Sequence, residues 1–330
     1  MGGLINISIF STFLLALWFT TTNELTLGDF VLVVGFVSQF YPRVFDLIWG
    51  FRDIAKNYAD IDKYFAVLDF QVDIKDPKIA VEKEHVAGEI EYKDVNFSYK
   101  DGKKNAIRNF SLTIRQAQSV AFVGRSGAGK TTIAKLLMRF YDVDEGEILI
   151  DGTNIKAFTK SQLRSFMGVV PQEPILFDNT VAYNIGYGKE KVTQKEIVAA
   201  AKLANIHEFI ESLPKKYKTR VGERGIKLSG GQKQRLAIAR MILSDPDIII
   251  FDEATSQLDS ENERLIQEAF WKVAKNKTTI IIAHRLSTAK QADKIVVLEK
   301  GSIAEISTHA ELLRNEKSLY RYFWNLQTAT

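Results

Sequence analysis

Residues 124–132 read Gly-Arg-Ser-Gly-Ala-Gly-Lys-Thr-Thr, and no other stretch restricts the possible folds as strongly. They fit G-x-x-x-x-G-K-[ST], the pattern of a loop that wraps phosphate groups. Glycines let the backbone curl until several N–H groups point at one anion, and the next helix adds its positive N-terminus. The flanks supply the context this needs. An apolar strand pattern, residues 120–123, precedes the loop, and Ile133, Leu136, Leu137 and Phe140 follow at helical spacing. A glycine-rich turn with a chance lysine explains neither flank. The loop therefore predicts an α/β P-loop cassette. Lys130 is expected to reach the β- and γ-phosphates, and the Thr131 hydroxyl to hold Mg²⁺. Taken alone, the pattern names a broad class.

Two further stretches narrow it. Residues 247–253 form an apolar strand that ends in Asp252 and Glu253. A buried strand with Asp at its tip suits a magnesium-organising carboxylate. The adjacent Glu253 suits a general base for the attacking water. Residues 228–232 read Leu-Ser-Gly-Gly-Gln at the start of a helical pattern that runs to about Leu243. A hydroxyl and N–H groups at a helix N-terminus form an anion site.

With LSGGQ ahead of an Asp-Glu strand and behind a P-loop, the chain resembles the ATP-binding cassette (ABC) family. The resemblance implies that Ser229, Gly230, Gly231 and Gln232 meet the ATP held by a partner cassette. Its own ATP would lie on Gly124, Ser126, Gly127, Gly129, Lys130, Thr131 and Thr132. Tyr99 matches the aromatic residue that stacks on adenine, although alone it reads equally as a strand aromatic. Gln172 in VVPQEPILF matches the glutamine that contacts Mg²⁺ and senses the membrane domain, so Thr131, Gln172 and Asp252 form the implied metal set. Residues 219–225, centred on Glu223, look like the X-loop of exporters. Residues 256–259 look like the D-loop, with Asp259 toward the partner and Gln257 where alanine is frequent. His284, after the apolar residues 279–283, matches the switch histidine; Glu253 and His284 are the implied catalytic pair. His85, His207 and His309 match no motif and read as surface or structural residues.

The N-terminus obeys different rules. Residues 4–22 carry no charge, and about 19 helical residues reach ~28 Å, near the ~30 Å thickness of a bilayer core. Residues 23–29 are polar, and 30–51 are apolar again, broken by Gln39, Pro42, Arg43 and Asp46. The last two are three apart, so they fall on one helix face, where a pair could form. A signal peptide would need a basic start, which Met1-Gly2-Gly3 lacks; a buried soluble hairpin is the other alternative. The connecting loop has Glu24 and Asp29 but no Lys or Arg, whereas Arg52, Lys56 and Lys63 follow the second span. That asymmetry predicts an integral membrane hairpin with both ends and the cassette cytoplasmic. Ile54, Tyr58, Ile61, Phe65 and Leu68 predict an amphipathic continuation of the second helix.

The expected organisation is an all-α transmembrane helical hairpin with its cytoplasmic extension, residues 1–70, a linker, 71–87, and a nucleotide-binding domain with a helical subdomain, 88–330. By the resemblance, residues 1–70 correspond to the last two of six membrane helices in an exporter half, so a truncated reading frame, a fragment or a split gene is expected. The implied cofactors are ATP and Mg²⁺. The implied partners are a second half-transporter, identical or different, and membrane lipid. A net charge of +4 gives no reason to invoke nucleic acid. The absence of cysteine excludes disulfides and thiolate metal sites. The function implied is ATP hydrolysis coupled to export. A soluble ABC ATPase would leave the apolar start unexplained and predicts a second cassette or a long insertion. A regulatory cassette predicts loss of Glu253 or His284.

Overall fold

The computed structural model describes residues 2–69, 72–100, 105–252, 260–283 and 285–328. Glu253, Asp259 and His284 therefore lie outside the described residues. Two compact units divide the chain, Met1–Asp73 and Ile74–Thr330.

The first unit holds α1 (Gly2–Thr21) and α2 (Leu27–Ala66). They pack as an antiparallel hairpin, Phe13 edge-on to Phe30 at 5.6 Å and Ser8 Oγ 3.1 Å from the Tyr41 hydroxyl. The polar interruption is only a turn. Thr26 caps α2 reciprocally with Asp29, so the helix starts ahead of the apolar run. It then continues for 40 residues, about 60 Å, twice a bilayer core. Among the described helices, α2 alone is long and apolar enough to cross a membrane. Arg43 and Asp46 are both exposed on α2 and form no ion pair with each other. Large apolar side chains, including Trp18 at 65% exposure, cover the surface of the unit.

The second unit opens with β1 (Ile90–Phe97), β2 (Ile107–Ile114) and β3 (Ser119–Val123), followed by α3 (Lys130–Leu137), β4 (Glu145–Ile150), β5 (Thr153–Asn154), α4 (Lys160–Ser165) and β6 (Met167–Val170). Then come α5 (Val181–Gly186), α6 (Gln194–Leu203), α7 (His207–Ser212), α8 (Gly230–Ser244) and β7 (Ile248–Asp252). The last part is α9 (Ser260–Ala274), β8 (Thr278–Ile282), α10 (Leu286–Ala289), β9 (Lys294–Glu299), β10 (Ser302–Ser307), α11 (His309–Arg314) and α12 (Leu319–Thr328).

Two sheets result. One is antiparallel, ordered β2-β1-β4-β5; the other is ordered β10-β9-β3-β8-β7-β6, parallel except for β10. Strand β3 is buried on both faces, as a parallel strand requires. Ala121 and Val123 join a core shared with α5 to α9, while Val120 and Phe122 join one shared with the antiparallel sheet.

Residues 74–87, read from sequence as linker, are held to the second unit. Arg139 Nη2 donates to the Lys75 carbonyl at 3.2 Å, the Lys160 amide to Asp76 at 2.8 Å, and Gln162 Nε2 to the Lys83 carbonyl at 3.0 Å. Asp151 then accepts from three consecutive amides, Ala87, Gly88 and Glu89.

Candidate nucleotide-binding site

The parallel strands decide where the chemistry sits. Side by side, β6, β7, β8 and β3 run in one direction, so their C-terminal ends form one edge. Register aligns Phe122 with Ile282, Ile282 with Asp252, and Val170 with Phe251. Four sequence-predicted segments leave the sheet at this edge: Gln172 after β6, Asp252 at the tip of β7, the residues after Ile282, and the glycine loop after β3. Ligands of open α/β sheets bind at such an edge.

The glycine loop is shaped by close contacts. A Cβ on Gly124 would lie 2.4 Å from the Leu298 carbonyl oxygen. Gly129 has φ 105°, and a Cβ there would lie 2.8 Å from Ile107 Cδ1 and 3.0 Å from the Ala106 carbonyl oxygen. Gly129 is also the N-cap of α3 and supplies no side-chain cap, so the first turn of α3 lacks an internal acceptor for its N–H groups. Lys130 lies across the loop, its Nζ donating to the carbonyls of Gly124 at 2.8 Å and Arg125 at 3.1 Å. Burial holds its pKa below the ordinary lysine value, opposed by the negative charge of Asp252. Ser126, Gly127 and Thr131 are exposed. Thr132 is buried, and its hydroxyl meets the Tyr99 hydroxyl at 3.1 Å. Tyr99 packs edge-on to Phe97 at 4.9 Å and Tyr141 at 5.1 Å, an aromatic cluster beside the loop.

The other glycine-rich helix start is arranged differently. Ser229 is the N-cap of α8, and its Oγ accepts from the Gln232 amide at 3.3 Å. Gln232 Oε1 accepts in return from the Ser229 amide at 2.9 Å, a complete capping box. Ser229 and Gly230 are exposed, whereas Gly231 is buried against Asn262 of α9. Arg235 donates to the same Asn262 at 2.8 Å.

Comparison with known proteins agrees with this arrangement. Residues 107–256 match the family model described as ABC transporter. The chain is 52% identical over 225 residues to the "Putative multidrug export ATP-binding/permease protein YgaD" of Bacillus subtilis, covering 68% of this chain and 39% of that protein. A protein of the same description from Staphylococcus aureus is 52% identical over 227 residues, covering 69% and 39%. The solved structure of a bacterial Atm1-family ABC exporter with ATP bound superposes with a TM-score of 0.75 at 40% identity, covering 99% of this chain and 57% of that one. The chain carries an ABC transporter domain. It spans about two-fifths of the length of the curated relatives it matches.

As an ABC cassette it carries two polar clamps that no motif announced. Asn184 of α5 is fully buried and grips the segment after Gln172. Its Oδ1 accepts from the Phe177 amide at 2.9 Å, and its Nδ2 donates to the carbonyls of Phe177 at 3.0 Å and Thr180 at 3.1 Å. Arg240 of α8 donates to the Asn184 carbonyl at 2.8 Å and the Ile175 carbonyl at 3.3 Å, with Tyr187 and Phe177 beside its guanidinium. Burial holds the Arg240 pKa below its ordinary value, opposed by Tyr187. Segment 219–225 is tied to the same region, through Val181 N–H to the Thr219 carbonyl at 2.9 Å and Val221 N–H to the Asn179 carbonyl at 3.1 Å. Gln172 itself is exposed, and its carbonyl accepts from Gln234 of α8 at 3.4 Å. A single polar residue within an apolar helical pattern, as at Asn184, was the only sequence signal for these clamps. The unmatched histidines serve as structural partners. His207 meets the Tyr217 hydroxyl and His309 the Tyr320 hydroxyl, each at 2.8 Å, and His85 is an exposed neighbour of Asp247.

Proposed function

We propose that the chain is the ATP-hydrolysing part of an ABC exporter, working as a pair of cassettes on the cytoplasmic side of a membrane. The observation that carries the reading is the shared edge of β6, β7, β8 and β3, with the glycine loop and Asp252 on it. The export names of the relatives support transport over a soluble or regulatory role. In this reading residues 1–70 belong to the membrane domain and 88–330 to the nucleotide-binding domain.

One cassette holds ATP by the amides of the loop after β3, by Lys130 on the β- and γ-phosphates, and by Tyr99 against adenine. The residues fit a nucleotide: a Cβ at 124 or 129 would collide with the protein packed against the loop, so both positions call for glycine, and the first amides of α3 have no side-chain cap. Thr131, Gln172 and Asp252 offer oxygen donors alone, a hard set suited to Mg²⁺. They would hold the ion, which when bound neutralises charge on the β- and γ-phosphates. Glu253 accepts a proton from water as its oxygen attacks the γ-phosphorus in line, and the bond to ADP breaks. His284 stabilises the γ-phosphoryl oxygens. Ser229 to Gln232 and Asp259 serve the ATP of the second half-transporter, a copy of this chain or a different one. One chain holds both half-sites, so two copies suffice for two complete sites. The segment clamped by Asn184 and Arg240 transmits closure to the membrane domain.

Glu253→Gln tests the reading. Hydrolysis is expected to fall at least about 100-fold, the usual size of a general-base effect, with ATP binding kept. Near-normal turnover of the variant would sink the assignment.

A further inference from the structure

One carboxylate outside the motifs joins two of the site's segments. Helix α9 begins at Ser260, directly after residues 253–259, and α10 begins two residues after position 284. Glu263 of α9 forms an ion pair with Arg285, the residue that follows His284. Its Oε1 also accepts from the Ser287 hydroxyl at 3.2 Å and from Gln267 Nε2 at 3.1 Å. Gln267, one turn along α9, donates in addition to the Thr288 hydroxyl at 3.0 Å. The Glu263 side chain is only 13% exposed and that of Arg285 33%, so the pair is shielded from much of the solvent screening that weakens surface pairs. On the opposite side, Gln327 of α12 accepts from the Leu286 amide at 2.9 Å. Arg285 is the N-cap of α10 and supplies no side-chain cap of its own.

This arrangement has a mechanical meaning. Strand pairing fixes Asp252 against Ile282. The pairing of β7 with β8 ends there, and α9 and α10, which follow the two strands, are tied to each other by side chains. Glu263 joins the first turn of α9 to Arg285 and Ser287 at the start of α10. We propose that Glu263 is a positioning residue for hydrolysis, registering the segment after His284 against the helix that follows Glu253. The proposal rests on the roles given above to Glu253 and His284. The partners of Glu263 are Arg285, Ser287 and Gln267, so its proposed action is on the geometry of attack and not on ATP affinity.

The experiment is steady-state ATPase kinetics of the full chain in detergent, with thermal unfolding measured in parallel. Glu263→Gln and Arg285→Gln each lower kcat about tenfold or more, as expected of a misplacement near 1 Å, with KM for ATP within about twofold. The double variant is no worse than the poorer single one, because both remove the same pair. Arg285→Lys restores most of the turnover. If Glu263→Gln fails to fold, Arg285→Gln and its Lys counterpart read the same pair. Unchanged kcat, a rise in KM in step with the loss, or losses that multiply in the double variant would each overturn the proposal. His284→Ala separates the layers. Wild-type turnover there sinks the switch role itself, whereas a dead His284→Ala beside a fully active Glu263→Gln sinks only the positioning role.

Discussion

Two glycine-rich helix starts in this molecule look alike in sequence and differ in how they spend their hydrogen bonds. At α3 the N-cap is Gly129, with no side chain to satisfy the first amides, and it is hemmed in by Ile107 and the Ala106 carbonyl. At α8 the N-cap Ser229 and Gln232 satisfy each other, and the loop faces solvent. In the proposed reading the first is an anion site, its opening amides left without a side-chain cap. The second commits the Ser229 and Gln232 amides to its own capping box. Under the proposed two-copy reading, that difference predicts ordered assembly: nucleotide first on the P-loop, the signature loop second and from another copy.

The comparison breaks most easily at Lys130. Lys130→Ala should remove the charge on the β- and γ-phosphates and cut turnover by about 100-fold or more, the scale of losing one preorganised transition-state donor; an ATPase assay reads it. Gly129→Ala comes next. Its Cβ would meet Ile107 and the Ala106 carbonyl in left-handed backbone, so nucleotide binding measured by calorimetry should be lost and unfolding eased by about 1–3 kcal/mol. Ser229→Ala should behave in the opposite way. Loss of a cap costs about 1 kcal/mol of α8 stability, yet the nucleotide affinity of a single chain should stay at the wild-type level while turnover falls. A loss of single-chain affinity in that variant would erase the distinction between the two sites.

The smallest effect concerns acid. The boxes at α6 and α11 use Glu196 and Glu311, whereas the box at α8 uses neutral Gln232. The Thr193 backbone and then side-chain bonds lower the Glu196 pKa, and the Ser307 hydroxyl followed by Thr308 lowers that of Glu311. A carboxylate depressed by folding adds stability above its ordinary value of 4.5, and that stability is lost as pH falls through the folded value. Hydrogen exchange between pH 7 and about pH 3.5 should therefore show α6 and α11 loosening at their first turns while α8 holds.

How far the sequence reached follows the same division between local and tertiary causes. The strand before the P-loop, the strand ending at Asp252 and the helix opened by Ser229 were legible because each is set by its own residues: apolar runs, glycine spacing, a capping pair. The two N-terminal helices were legible by hydropathy, although α2 runs unbroken from Leu27 to Ala66, since the Thr26–Asp29 box starts it early. Contacts made across the fold were not legible. Asn184, Arg240 and Glu263 sit in unremarkable local sequence and acquire partners only when distant segments meet. Residues 74–87 carry linker composition, yet backbone groups that meet Arg139, Lys160 and Asp151 hold them to the cassette.

The cysteine-free sequence permits a direct test of the two-copy site. Ser126→Cys on the P-loop and Ser229→Cys on the signature loop are placed in separate preparations, both carrying Glu253→Gln, then mixed and oxidised mildly. The account predicts a disulfide-linked pair of unlike chains that accumulates with saturating MgATP and is scarce without it. No cross-link at saturating MgATP, or the same yield without nucleotide, would contradict it.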